Sequence, residues 1–230
     1  ACYATKIVNF NIKKAGGASM GIHESQSRFY ENIIGRSEAF ISLIFPKIKE
    51  LFTEQFENVS AHDFYLAVNK AEPSLIRTEA DELTYSMHIM VRYEIEKRLM
   101  DGSLSTKDLP NEWNRLYKEY LGIDVPCDSM GCLQDSHWSG GALGYFPSYS
   151  LGSAYGAQFL YKMKQDIDID KLVSENRIDE VTAWLTEKIH KYGMLLTPAQ
   201  LIENACGEEF NADYYIEYLT EKYKKIYDLK

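Results

Sequence analysis

The sequence predicts a mainly α-helical fold, and three observations carry that expectation. Apolar residues recur at spacings of three and four, helix-capping signatures punctuate the chain, and alternating β-branched runs between tight turns are nearly absent. With 230 residues, 45% of them apolar, the chain can bury a core without disulfides. No internal repeat, low-complexity tract or linker divides it, so residues 1–230 read as one compact helical unit.

Taken in order, residues 1–8 read as a short helical tail, and the Gly-bearing stretch KKAGGASMG (Lys13–Gly21) as a loop or one short strand. A helix begins near His23 and is punctuated by Gly35. The next runs from about Ser37 to Phe56 and is bent at Pro46, because proline removes a donor and crowds the preceding turn. Ser60 and Asp63 form a capping box for a helix that ends before Pro73. Thr78 and Asp81 read as a second capping box, opening the longest helix, which stops at Gly102. Leu83, Met87, Met90, Val91, Ile95 and Leu99 are expected to form its core-facing stripe. Further helices are expected over residues 111–120, 147–165, 179–192, 198–205 and 211–227. Thr197 caps the fourth of these with Pro198 at its first position, and Gly193 ends the helix before it.

Composition excludes several partners. A net charge of -9 repels a phosphate backbone, which argues against nucleic acid and anionic membrane surfaces. The longest apolar run, AFISLIF (Ala39–Phe45), is far short of the roughly 20 residues that span a bilayer. Cys2, Cys127, Cys132 and Cys206 show neither C-x-x-C spacing nor the density of a secreted scaffold, so they read as reduced, cytoplasmic thiols. The opening ACYATKIVNF has no initiator methionine and no signal-peptide pattern, and reads as cut from something longer.

Three segments carry more polar chemistry than packing requires: HESQSR (His23–Arg28), IRTEADELTYSMH (Ile76–His88) and GCLQDSHWSGGALGYFPSY (Gly131–Tyr149). His23-Glu24 matches the start of H-E-x-x-H, in which two histidines one turn apart hold zinc and the glutamate acts as base, but Ser27 stands where the second histidine belongs. Each segment also has a plainer reading. Glu24 suits a helix N-terminus through the macrodipole alone, and Arg77 with Glu79, Asp81 and Glu82 fits a solvated charge cluster. His137 fits a core histidine packed on Trp138, Gly140-Gly141 a tight turn, and Asp81, Tyr85 and His88 a hydrogen-bonded helix face. His62 and His190 have no partner at metal-ligand spacing.

Together, GIHESQSRFYENIIGRS, IRTEADELTY, GCLQDSHWSGGALGYFPSYSLG and HKYGMLLTPAQLIENACGEEF resemble, in order, the signature blocks of the Taq-type thermostable metallocarboxypeptidases. The resemblance implies a helical zinc-peptidase fold, zincin-like and neurolysin-like, with at most one short strand near the active site. It implies that residues 1–230 are the C-terminal portion of a single catalytic domain. In the family an H-E-x-x-H helix supplies two histidine ligands and the catalytic glutamate, and the glutamate of HESQSR supplies the third ligand, which here is Glu24. No two of His23, His62, His88, His137 and His190 have the four-residue spacing of that helix, so it is absent rather than mutated. Residues 6–14 also depart from the family pattern, being basic and short.

The implied activity is release of C-terminal amino acids from peptides by zinc, or cobalt, which polarises the scissile carbonyl and activates water. His137 with Tyr149, or Tyr145, is the implied oxyanion donor, with His137 and Tyr149 preferred. Arg77 is the implied anchor for the substrate's carboxylate, and Gln134 and Asp135 are substrate-side residues expected to orient His137. With one metal ligand, the chain alone is expected to be inactive. Its expected partners are peptides, the missing N-terminal part and a second copy in a homodimer. The alternative is a catalytically silent helical protein kept for binding or dimerisation.

Overall fold

A computed structural model describes residues 16–230; the expected tail over residues 1–8, Cys2, and the basic stretch over residues 6–14 lie outside the described residues. Among the described residues ten α-helices follow one another: α1 (Met20–Arg28), α2 (Glu38–Leu51), α3 (Ala61–Val68), α4 (Tyr85–Met100), α5 (Leu109–Leu121), α6 (Pro147–Asp166), α7 (Ile169–Ser174), α8 (Ile178–Lys188), α9 (Pro198–Cys206) and α10 (Asp213–Ile226). The described residues contain no strand, so the short strand allowed for in the sequence is not found among them. Nor is any of their helices long and apolar enough to cross a membrane. The chain divides into two compact units, one of residues 16–69 and 151–230 and the other Lys70–Ser150.

In the first unit, Ser19 caps α1 by accepting the Ile22 N–H, which starts this helix three residues ahead of the expected His23. A π-helical turn, Phe29–Ile34, continues α1 and ends as Gly35 N–H donates to Tyr30 O at 2.8 Å. Such turns shift the register of side chains and are frequent beside functional sites. Ser37 caps α2, which passes through Pro46 and stops at Leu51, five residues short of expectation. The expected capping box of Ser60 with Asp63 forms, and the expected cap at Thr197 forms a box as well, with Gln200. Phe29, Phe159, Met163, Leu185, Leu201 and Ile202 anchor the core.

In the second unit, Arg77–Glu79 is a 3-10 turn and α4 begins only at Tyr85. The expected box at Thr78 fails because Asp81 is used otherwise: it accepts the backbone N–H groups of Glu72 and Thr84 and the Thr84 hydroxyl. The expected core stripe is also corrected. Val91 and Ile95 are buried, but Leu83, Met87 and Met90 are 37%, 38% and 44% exposed, and Tyr85, His88, Ile89, Arg92 and Glu96 turn inward instead. The helix carries apolar residues on more than one face, and the polar residues that turn inward find partners elsewhere in the unit. Trp113 and Tyr117, stacked with centroids 5.0 Å apart, bring α5 into this core, and Gly122, at φ +73°, ends α5 in a left-handed turn.

Candidate active site

The first candidate group lies in the first unit. Glu24 sits on α1, half-buried, with the Ser27 hydroxyl donating to its Oε2 at 2.9 Å. Helix α6 comes so close here that a Cβ added at Gly152 would lie 2.5 Å from the Glu24 Cβ. A glycine at 152 is therefore what lets α6 meet the backbone that presents Glu24. His23 turns back on its own entry loop, where its Nε2 accepts the Gly17 N–H at 3.0 Å. His190, given no partner by the sequence, lies 2.7 Å through Nε2 from Gln26 Oε1, and Gln26 in turn donates to Ser25. Burial holds the His190 pKa below its ordinary value, so the ring is a neutral brace for the HESQSR helix.

The second group lies in the second unit and is built around Asp135. Its Oδ1 accepts from Arg77 Nε at 3.0 Å and Nη2 at 2.7 Å, and its Oδ2 accepts from Arg92 Nε at 2.7 Å. Burial alone would raise the Asp135 pKa, but the two guanidinium charges and their hydrogen bonds outweigh it and hold the carboxyl below its ordinary value. Arg77 also donates through Nη1 to the Tyr85 hydroxyl at 2.9 Å and lies 4.9 Å over the Tyr149 ring. Arg92, fully buried, donates to His88 O and stacks 4.6 Å over Trp113.

His137 Nε2 is 3.0 Å from the Tyr149 hydroxyl, while the ring packs on Phe146 with centroids 4.4 Å apart and on Tyr145 at 5.6 Å. Its Nδ1 is buried without a hydrogen-bond partner and lies 3.9 Å from Asp135 Oδ1. Burial, then the Arg77 charge, push its pKa below the ordinary histidine range, so it stays neutral near pH 7. Gln134 does not bond His137; its Oε1 accepts the Arg77 backbone N–H at 3.0 Å and its Nε2 donates to Leu75 O at 2.9 Å. The loop that follows is held by Glu96, which accepts the Trp138 indole N–H at 2.8 Å and the Gly144 N–H at 3.1 Å.

The structure thus brings Arg77, Gln134, Asp135, His137, Tyr145 and Tyr149 together in one unit, and presents Glu24 in the other. Sequence reasoning missed Arg92, Glu96, Tyr117 and Gly152. His88, Arg92 and Glu96 recur every four residues on α4, a spacing that marks one face and could have drawn attention to them. Among the described residues no group of three or more His, Cys, Asp or Glu side chains could hold a metal ion. A catalytic zinc takes three protein ligands, so the described residues do not by themselves fit one.

The profile of the carboxypeptidase Taq (M32) metallopeptidases matches residues 4–223. The chain belongs to that family. It is 50% identical over 212 residues to Carboxypeptidase 1 of Bacillus subtilis, covering 92% of this chain and 42% of that protein. It is 45% identical over 210 residues to Thermostable carboxypeptidase 1 of Pyrococcus furiosus, covering 91% and 42%. The crystal structure of the M32 carboxypeptidase from Deinococcus radiodurans superposes with a TM-score of 0.90 at 38% identity, over 94% of this chain and 44% of that one. Trypanosoma cruzi metallocarboxypeptidase 1 superposes with a TM-score of 0.88 at 38% identity, over 92% and 44%. The chain therefore spans under half the length of the relatives it matches, and the all-helical fold expected from the sequence is the fold of this family.

Proposed function

We propose that this chain forms part of a metal-dependent carboxypeptidase that releases C-terminal amino acids from peptides. The observation that carries this reading is its membership of a metallopeptidase family, matched over residues 4–223, with curated carboxypeptidases among its relatives. Glu24 is one metal ligand in this reading, and the other ligands come from outside the described residues. Zinc is the proposed metal, with cobalt a competent substitute, since a carboxylate joined by imidazoles suits either.

His137 and Tyr149 are the proposed groups that stabilise the carbonyl oxygen as it turns negative. Their shared hydrogen bond supports the pairing, because it fixes two polar groups, each able to donate, side by side. Arg77 is the proposed anchor for the peptide's terminal carboxylate, a planar fork suited to that anion. Gln134 supports the role by holding the Arg77 backbone. The net charge of -9 favours peptides over nucleic acid, and reduced thiols fit a cytoplasmic enzyme, proposed to act as a homodimer.

The test joins this chain to the N-terminal portion of the Bacillus subtilis relative and measures amino-acid release from a blocked dipeptide with and without chelator. Chelator-sensitive release that falls at least tenfold in His137→Ala is expected. A chimera that folds and retains metal, yet releases nothing, favours a silent binding protein instead.

A further inference from the structure

Asp135 stands between three basic side chains but bonds only two of them. Its Oδ1 serves Arg77, its Oδ2 serves Arg92, and His137 Nδ1 waits 3.9 Å from Oδ1. That nitrogen is buried and has no hydrogen-bond partner, so it carries the desolvation cost of an unpaired polar atom. An orphaned buried polar atom in a native site calls for a cause. Two guanidiniums sharing one carboxylate also leave a surplus positive charge beside it, which an arriving anion would neutralise.

We infer that Asp135 is a positioning residue that changes partners: when a peptide's terminal carboxylate takes Arg77, Asp135 Oδ1 turns to accept the His137 Nδ1–H while Oδ2 stays on Arg92. The inference rests on the proposed reading of Arg77 as the carboxylate anchor. The movement is small, closing 3.9 Å to about 2.8 Å, the length of a charge-assisted bond. Arg92 is a fixed pivot, since its guanidinium is fully buried, bonded to His88 O and stacked on Trp113.

The exchange couples substrate capture to the oxyanion donor. A carboxylate on Nδ1–H favours the charged imidazolium, and its Nε2–H then donates more strongly towards a developing oxyanion. The groups facing this ring are Asp135, Tyr145, Tyr149 and Arg77, with Arg92 and Glu96 contributing charge from α4. Without substrate, burial and the two arginines keep the ring neutral. With Arg77 occupied by another anion and Asp135 turned towards the ring, that balance shifts towards the charged form.

The test is NMR of the whole chain labelled with nitrogen-15, titrated with N-acetylalanine, with His137→Gln assigning the imidazole and Arg77→Lys the guanidinium. The expected result is a saturable shift of the Arg77 Nε–H, a slowly exchanging downfield His137 Nδ1–H resonance, and a His137 pKa raised by about one unit. In Asp135→Asn the Arg77 shift persists and the Nδ1–H resonance is lost; Asp135→Glu, which keeps the charge, restores it. An Arg77 signal indifferent to the probe overturns the carboxylate-anchor reading and the exchange with it. An Arg77 shift with no new Nδ1–H resonance in the wild-type chain overturns the exchange alone.

Discussion

Arg92 Nε donates to Asp135 Oδ2 over 2.7 Å, so a helix residue with no exposed surface fixes a loop residue 43 positions away. The carboxylate that meets Arg77 is thereby held from its far side. Replacing Arg92 by Met removes one partner of a buried ion pair and the side-chain donor to the His88 carbonyl. A loss of about 3 kcal/mol is expected. Urea unfolding of the variant against the parent chain measures it; a loss under 1 kcal/mol would mean the pair is dispensable.

Gly152 and Gly156 give a matched comparison on α6. An added Cβ at 152 would come within 3 Å of three atoms of Glu24 and Ser25, whereas at 156 its nearest neighbour, Ser25 O, is at 3.4 Å. Gly152→Ala is expected to destabilise by about 1–3 kcal/mol through overpacking. Gly156→Ala should be neutral or stabilising by up to about 1 kcal/mol, because alanine suits a helix interior better than glycine. Thermal unfolding of both variants checks the order, and equal effects would contradict the close approach at Glu24.

His88 sets a pH dependence. Burial first, then the charges of Arg92 and Arg77, lower its pKa to about 4 from 6.5, so the folded chain keeps it neutral where the unfolded chain protonates it. Below pH 6.5 the unfolded state binds more protons, so stability falls as pH drops towards 4, by roughly 3 kcal/mol over that window. His88→Gln should flatten the slope. Denaturant titrations from pH 4.5 to 7.5 read it directly, and an unchanged slope would place the acid sensitivity elsewhere.

What the sequence disclosed was local. The box at Ser60 and the cap at Thr197 formed as expected because each involves residues three apart, within one helical turn. The similar pattern at Thr78 misled because Asp81 found better partners in the Glu72 backbone and Thr84. Helix α7, only Ile169–Ser174, is too short to show periodicity. The burial of Arg77 was invisible because its partner Asp135 lies 58 residues on, and the apolar residues of α4 pointed to a different face from the polar one that turns inward. The family resemblance picked out Arg77, Asp135, His137 and Tyr149 but not Arg92, which holds Asp135, or Glu96, which holds the loop after it.

Thr197→Ala removes one cap of α9 and is expected to cost about 1 kcal/mol. The helix carries Leu201, Ile202 and Ala205 into the core of the first unit, so the loss should appear as a lower unfolding midpoint with an unchanged denaturant slope. A shift in slope would indicate partial unfolding instead.

The most direct measurement of the central claim is metal content. The chimera with the N-terminal portion of the Bacillus subtilis relative is dialysed against limiting zinc, with Glu24 intact or replaced by Gln. About one zinc per chain is expected with Glu24, and at least tenfold weaker retention in Glu24→Gln. Equal retention by the two proteins would contradict the placement of Glu24 in the metal site.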